Sequence, residues 1–462
     1  MGLPFFLGME LRSWRVVVVG SVVSQIIALV LFTRYGRLKT SRRNWSREYR
    51  SIHALFVALL LWLCFVFLND ETLDPGLESF FVSRAAIEDN ENAAVALSGI
   101  NAPIGVDVLT FGRTQIDTLF LETSSDPPKV ETLEFIGTNE ELLCWILPPT
   151  KRPANTPCAT KDRIEQLLHA NATLLERYWW TTSLQHFQGW TAMVLQLVIE
   201  LQRLITADIE LKVSAGEFEP AYEIWRMNCG FVFRMLREET DFLEKKVFMV
   251  AESTCLKSAE LLIYSYPNIA DLHGDDLRVI LNPMGLARWN LADALRTEYE
   301  RYDDAILSKR HADWVHPNFI RNRFYRVSND LLATTALPPP KAELVMKTIK
   351  ATYGSLWAWN RDYFFDPVNA AYSRFFFIGS VNGFELITTM HQHDGQFRAL
   401  TLALDIKRQH VADSAISSYI REAPPDLVDP FTSQPMDYNP ETKTITFHYS
   451  TGTEARDFEV RL

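Results

Sequence analysis

The chain has 462 residues, of which 47% are hydrophobic and 22% charged, proportions that exclude wholesale disorder. Its formal net charge is −11, yet residues 1–50 hold nine Lys and Arg against only Glu10 and Glu48, so the remainder is strongly acidic. An acidic bulk domain excludes nucleic acid as its partner, because phosphate backbones select basic surfaces.

Two apolar segments come first. Val16–Phe32, VVVVGSVVSQIIALVLF, carries no charge and has about the length that crosses a hydrocarbon core. The second centres on ALFVALLLWLCFVFL from Ala54 to Leu68, with Ile52 and His53 extending it. Residues 1–69 therefore read as a membrane anchor with two transmembrane helices, about 16–32 and 52–68, and the lipid bilayer is the first expected partner. Arg34, Arg37, Lys39, Arg42, Arg43, Arg47 and Arg50 fall in the loop 33–51. The positive-inside rule assigns that loop to the cytoplasm. Both termini then lie across the membrane, which places the large C-terminal domain in the periplasm of a bacterium, anchored to its inner membrane. Trp14, Tyr35, Trp45, Tyr49 and Trp62 are candidate interface anchors. Gly20, Ser21, Ser24 and Gln25 are small or polar, and are candidates for helix–helix contact in the membrane with a second membrane protein or a second copy of the chain. Asn69-Asp70-Glu71 lacks a small-residue cleavage pattern, so the anchor is expected to be retained.

Cys64 lies inside the second segment, and the other four cysteines follow it. An even number outside the membrane suits an oxidising compartment. Cys144 and Cys158 bracket the proline-rich WILPPTKRPANTP, which a disulfide would close. Cys229 and Cys255 sit on two neighbouring predicted helices and suit a bridge across them. Four unpaired buried cysteines are the alternative.

Residues 70–159 read as an irregular lead-in. Leu77–Ile87 and Asn92–Leu97 have helical character, Asn101–Pro103 and Ile104-Gly105 break it, and Thr132–Trp145 holds a short helix. Residues 160–428 form the predicted α-helical domain. Thr160 opens a helix on which Ile164, Leu167, Leu168, Leu174 and Leu175 recur at helical spacing, ending at Tyr178–Trp180. Ala192–Val213, Ala221–Leu236 and Phe242–Tyr266 follow, separated by Gly216 with Pro220 and by a charged turn. Pro267-Asn268 and His273–Asp276 read as loops, and Leu286–Leu307, Pro340–Thr352 and Phe397–Ile420 complete the helices. The fold class is mainly α, an irregular bundle or solenoid-like array. AGEFEPAYEIWRMN invites a tetratricopeptide reading, but no internal period is sustained. Residues 429–462 form a C-terminal β-hairpin module, with strands at Met436–Asn439 and Thr444–Tyr449.

Three stretches carry a resemblance: ENAAVALSGINAPIGVDVLTFGR, LLHANATLLERYWWT, and FRALTLALDIKRQHVADSAISSYIREAPPDLVDPFTSQPMDY. Together they resemble a family of uncharacterised Gram-negative envelope proteins with a helical domain and a closing Asp-Pro-Phe hairpin. The ending is also similar to the hairpin of type II secretion pseudopilins. The likeness runs in patches over residues 77–450. His410–Asp413 replaces the Gly-Arg-Tyr-Pro turn that the family would show there. The resemblance implies an envelope location and brings no activity with it.

For chemistry, His391-Gln392-His393-Asp394 is the most suggestive run, since His-x-His-Asp can open a di-metal hydrolase site. Its flanks read as helix, so we expect polar residues at a helix break on the surface. His311, Asp313 and His316 show no ligand spacing. Glu217, Glu219 and Glu223, and Glu238, Glu239, Asp241 and Glu244, are interleaved with Arg234, Arg237, Lys245 and Lys246, and are expected to form solvated salt-bridged faces. No nucleophile elbow, phosphate-binding loop or His-Glu-x-x-His run occurs. No catalytic, cofactor-binding or metal residue is assigned. The sequence favours a non-enzymatic scaffold or accessory subunit of a membrane complex. A membrane-bound hydrolase, or a secretion or pilus assembly component, are the alternatives.

Overall fold

The computed structural model describes residues 72–80, 87–120, 132–138, 141–142, 159–188, 195–238, 242–282, 285–308, 317–353, 382–450 and 455–462. The two apolar segments, the basic loop, the face of Gly20, Ser21, Ser24 and Gln25, and Cys144 and Cys158 lie outside these residues. Among the described residues, no helix is long and apolar enough to cross a membrane. The protein is mainly helical, with a small antiparallel sheet at the C-terminus.

Two compact units are distinguished. The first includes Met1–Ser79 and Glu300–Arg326. In it, Asn322 accepts the Asp74 N–H at 2.8 Å and donates to the Thr72 carbonyl at 2.8 Å. One side chain thus fixes the chain where it leaves the second predicted membrane segment.

The second unit carries most of the helices. Helix α1 (Pro75–Phe80) belongs all but its last residue to the first unit; the second holds α2 (Ala93–Ser98), which is wholly buried. Asn92 caps α2 by accepting the Ala94 N–H at 3.0 Å. Its amide also exchanges two hydrogen bonds with the Gln188 backbone, at 3.0 and 2.6 Å. The next helix, α3 (Val108–Phe120), lies in the region expected to be irregular. It crosses α2 at Gly99 and Gly112, where a methyl group would overlap the carbonyl oxygens of Val108 and Val95. Periodicity alone misses it, because glycine at the contact weakens the helical pattern.

Thr160 caps α4 (Lys161–Ala170) by accepting the Arg163 N–H at 3.3 Å. Buried Asn171 separates α4 from α5 (Ala172–Thr182) and bonds both backbone groups of Ile136, at 2.9 and 2.8 Å. Arg177 donates to three carbonyls, of Ile100, Ala102 and Pro103, at 3.0, 2.5 and 3.3 Å. Two of the stretches that carry the resemblance therefore meet through Arg177.

Helices α6 (Leu195–Ser214), α7 (Phe218–Arg237) and α8 (Phe242–Ser265) each pack on both of the others. That mutual packing is bundle-like; in a solenoid each repeat meets only its neighbours. A buried triad links them to α5: the Tyr178 hydroxyl donates to Asn228 Oδ1 at 2.8 Å, and Asn228 exchanges amide bonds with Gln202 at 2.8 and 2.9 Å. Burial holds the Tyr178 hydroxyl proton far above its ordinary range. A disulfide joins Cys229 on α7 to Cys255 on α8, with the Cα atoms 5.6 Å apart.

Asn268, with φ of 61°, turns the chain into α9 (Ile269–Ile280). His273–Asp276, expected as a loop, lies within this helix, since one internal glycine is tolerated there. Helices α10 (Leu291–Ser308), α11 (Pro317–Thr335) and α12 (Pro339–Tyr353) follow, and α11 has no counterpart among the predicted helices.

The spine of the unit is the 27-residue α13 (Asn382–Arg408). It starts well before the expected Phe397, and it stops at Arg408 because His410 takes a left-handed φ of 50°. From Met390 to Ile406 only Gln392 and Arg398 keep appreciable exposure. Helix α9 runs antiparallel to it along a polar seam. Asp271 faces His410 at 3.5 Å, Asp275 Arg408 at 2.8 Å, and Arg278 Asp405 at 3.2 Å; the Leu281 carbonyl accepts from Thr401 at 3.1 Å.

After the short α14 (Ile416–Arg421), the expected hairpin has a third strand. The sheet order is β1 (Asp437–Asn439), β2 (Thr444–Ser450), β3 (Ala455–Arg461), all antiparallel. Ile445 and Phe447 point inward. Gly395 on α13 admits the Phe447 ring, which a β-carbon would strike. Asp429 organises the Asp-Pro-Phe turn, accepting from the Phe431 N–H at 2.7 Å and from the His448 N–H at 3.1 Å.

Candidate functional site

The densest set of acid and base groups surrounds the His391–Asp394 run. They lie in mid-helix, with His391, His393 and Asp394 buried and only Gln392 partly exposed, which corrects the expectation of a surface break. Residues two apart on an α-helix project from nearly opposite sides. His391 accordingly turns to the C-terminal module, with its ring 6.4 Å from that of Phe431. His393 turns to α8, with Nδ1 2.7 Å from Glu252 Oε2. The helix thus keeps the two imidazoles from converging on one ion. Among the described residues, no group of three or more His, Cys, Asp or Glu could hold a metal ion.

Glu252 is fully buried, and its Oε2 also accepts the Trp289 indole N–H at 2.8 Å. Beside Trp289, in a 3₁₀ turn at Gly285–Trp289, Arg288 is buried over the Phe397 ring at 3.6 Å and donates to the Ile280 carbonyl at 2.7 Å. Burial lowers the Arg288 guanidinium to about 10, against the pull of the Glu252 carboxylate. Asp394 accepts from Arg398 Nε at 2.8 Å, and burial raises its carboxyl above the ordinary range in spite of Arg398. Burial, then the neighbouring Arg398 charge, brings the His391 imidazole down to about 4. Among the described residues its Nε2 has no hydrogen-bond partner.

An oriented imidazole on a carboxylate is the usual unit of proton transfer. Here His393 is 5% exposed and Glu252 0%, and one Glu252 oxygen serves both His393 and Trp289. The arrangement locks α8, the 3₁₀ turn and α13 together. Sequence reasoning missed Glu252, Arg288 and Trp289. Phe248, Glu252, Cys255 and Ala259 fall on one buried stripe of α8, so a carboxylate on a core stripe was the available signal.

The acidic runs separate. Glu219 accepts from the Tyr266 hydroxyl at 2.8 Å and faces His273 Nε2 at 2.9 Å, which lowers its carboxyl below the ordinary range. The His273 ring stacks on buried Tyr222 at 3.9 Å. Glu223 pairs with Arg226 on an exposed face, as expected. Glu244 and Lys245, expected in solvent, are buried. Lys245 donates to the carbonyls of Leu236 and Glu238 at 2.5 and 3.0 Å, closing the C-terminus of α7. Arg234 donates to the Thr182 and Leu184 carbonyls at 2.7 and 2.8 Å. Glu239, Asp241, His311, Asp313 and His316 lie outside the described residues. On the C-terminal sheet, His448 stands between Asp457 and Asp437 at 2.7 and 2.8 Å.

No family model, no curated protein and no solved structure matches the chain.

Proposed function

We propose that the chain is a membrane-tethered helical scaffold, or an accessory subunit of a membrane protein complex, with its large domain in the periplasm. The observation that carries this reading is the direction of the acid and base groups. His393, Glu252 and Trp289 engage one another inside the bundle, and His391 points away from them, so the groups that suggest hydrolysis are used to join helices. The Cys229–Cys255 bridge supports an oxidising compartment. The membrane tether rests on the two apolar segments and the basic loop between them. Leu272 and Val279, seven residues apart on α9, stay exposed on one face and supply apolar surface for a partner.

Extraction in mild detergent followed by cross-linking tests the reading. A membrane-protein partner, or a homo-oligomer of fixed stoichiometry, is the expected result. A monomer that hydrolyses ester or phosphate substrates, and loses that turnover on His393→Gln, would replace the scaffold with an enzyme.

A further inference from the structure

His448 occupies the middle of the central strand, on the face opposite Phe447. Across the ladder it stands directly opposite Asp457 of β3, while Asp437 of β1 opposes Thr446 two residues earlier. The alternation of a strand places Thr444, Thr446 and His448 on one face with Asp437, Asp457, Glu459 and Arg461. Asp457 contacts ring Nδ1 at 2.7 Å and Asp437 contacts ring Nε2 at 2.8 Å. A neutral imidazole carries one N–H and can donate to one carboxylate only. Two carboxylates on two ring nitrogens therefore require the imidazolium.

We propose that His448 is a cationic staple that binds the edge strand β1 to the central strand and steadies β3, and that neutralising it releases β1 while β2 and β3 stay on the helical body, where Val460 is fully buried and the Arg461 N–H is bonded to Glu260. Its half-exposed ring exchanges protons with solvent directly. The central strand has independent anchors: Phe447 is fully buried in front of Gly395, and the His448 N–H is bonded to Asp429. Strand β1 has three residues, pairs within the sheet with β2 alone, and otherwise rests on α14. The hydrogen bonds to Asp437 and Asp457 raise the His448 imidazole to about 9. A raised value means that the staple is complete below the ordinary histidine range and is lost as pH rises through about 9.

Amide hydrogen exchange on the full chain, corrected for the intrinsic pH dependence of exchange, tests this at about pH 7 and about pH 9.5. We expect exchange in residues 437–439 to rise about tenfold at the higher pH, with residues 455–461 and α13 unchanged. His448→Gln should show the fast exchange already at neutral pH, with no further rise. Asp437→Asn or Asp457→Asn should move the wild-type midpoint down. Equal protection of β1 at the two pH values in the wild type overturns the proposal, and that arm stands even where a variant fails to fold. Wild-type protection in His448→Gln overturns it as well.

Discussion

Glu252 Oε2 and His393 Nδ1 lie 2.7 Å apart, in a place where neither side chain has appreciable contact with solvent. A carboxylate buried to this extent is tolerable only if its lone pairs are used. Oε2 is so used, by the His393 ring and the Trp289 indole, whereas Oε1 has no hydrogen-bond partner among the described residues.

Removing Oε2 takes the partner from two buried polar groups, the His393 ring and the Trp289 indole. Glu252→Ala should cost about 1–3 kcal/mol for each buried partner it leaves unsatisfied. Glu252→Gln keeps an acceptor in place and should cost only ~1–2 kcal/mol. Urea unfolding of the full chain, followed by circular dichroism, gives both values. A Glu252→Ala variant as stable as the wild type would mean that the three elements are not joined there.

His391 sets a pH dependence of its own. Burial lowers its imidazole to about 4, so the folded protein holds it neutral at pH values where the unfolded chain would protonate it. A lowered folded value gives stability that is present above the ordinary histidine range and is lost as pH falls toward about 4. The loss attributable to this residue should reach ~3 kcal/mol. Asp394, with its raised carboxyl, works in the opposite direction, so the difference between wild type and His391→Gln is the informative quantity. The variant should have a flatter acid limb; parallel curves would mean that His391 is solvated.

The main helices were legible because their apolar residues recur at helical spacing. Helices α6, α7 and α8 begin and end within a few residues of the expected positions. The centre of α13 was illegible for the opposite reason: a helix buried on every side has no polar face, so polar residues inside it look like a break. Gly112 in α3 and Gly395 in α13 mark close packing, a role that the sequence pattern does not show. The His391–Asp394 run was legible as a concentration of chemistry, but its partners Glu252 and Trp289 lie more than a hundred residues earlier, and no local pattern connects them.

Those glycines give a direct test. A methyl at Gly99 or Gly112 would meet a backbone carbonyl oxygen, which cannot swing aside as a side chain can. Gly99→Ala and Gly112→Ala should each destabilise by ~2 kcal/mol or more. Gly230, in the interior of α7, has open space around it, and Gly230→Ala should stabilise by about 0.5–1 kcal/mol through helix propensity. Thermal unfolding of the three variants ranks them, and an unchanged midpoint for Gly112→Ala would rule out the α2–α3 crossing.

The disulfide links fold to compartment. Cys229 and Cys255 are 26 residues apart, and closing a loop of that size in the unfolded chain corresponds to about 3–4 kcal/mol of stability in the chain-entropy account. Both sulfurs are buried, between α7 and α8, with the Trp225 indole donating to the Cys255 carbonyl at 2.9 Å. A bond so enclosed should resist mild reductant in the folded protein and yield to it once urea is added. The double variant Cys229→Ala/Cys255→Ala should unfold at lower urea by the amount the loop predicts. Protein quenched with an alkylating agent as cells are opened should carry no label at either cysteine. If the same domain, expressed without residues 1–69 and therefore held in the cytoplasm, also proves fully oxidised, the bond says nothing about location. If it is reduced there and bridged in the anchored chain, the topology read from the seven basic residues gains independent support.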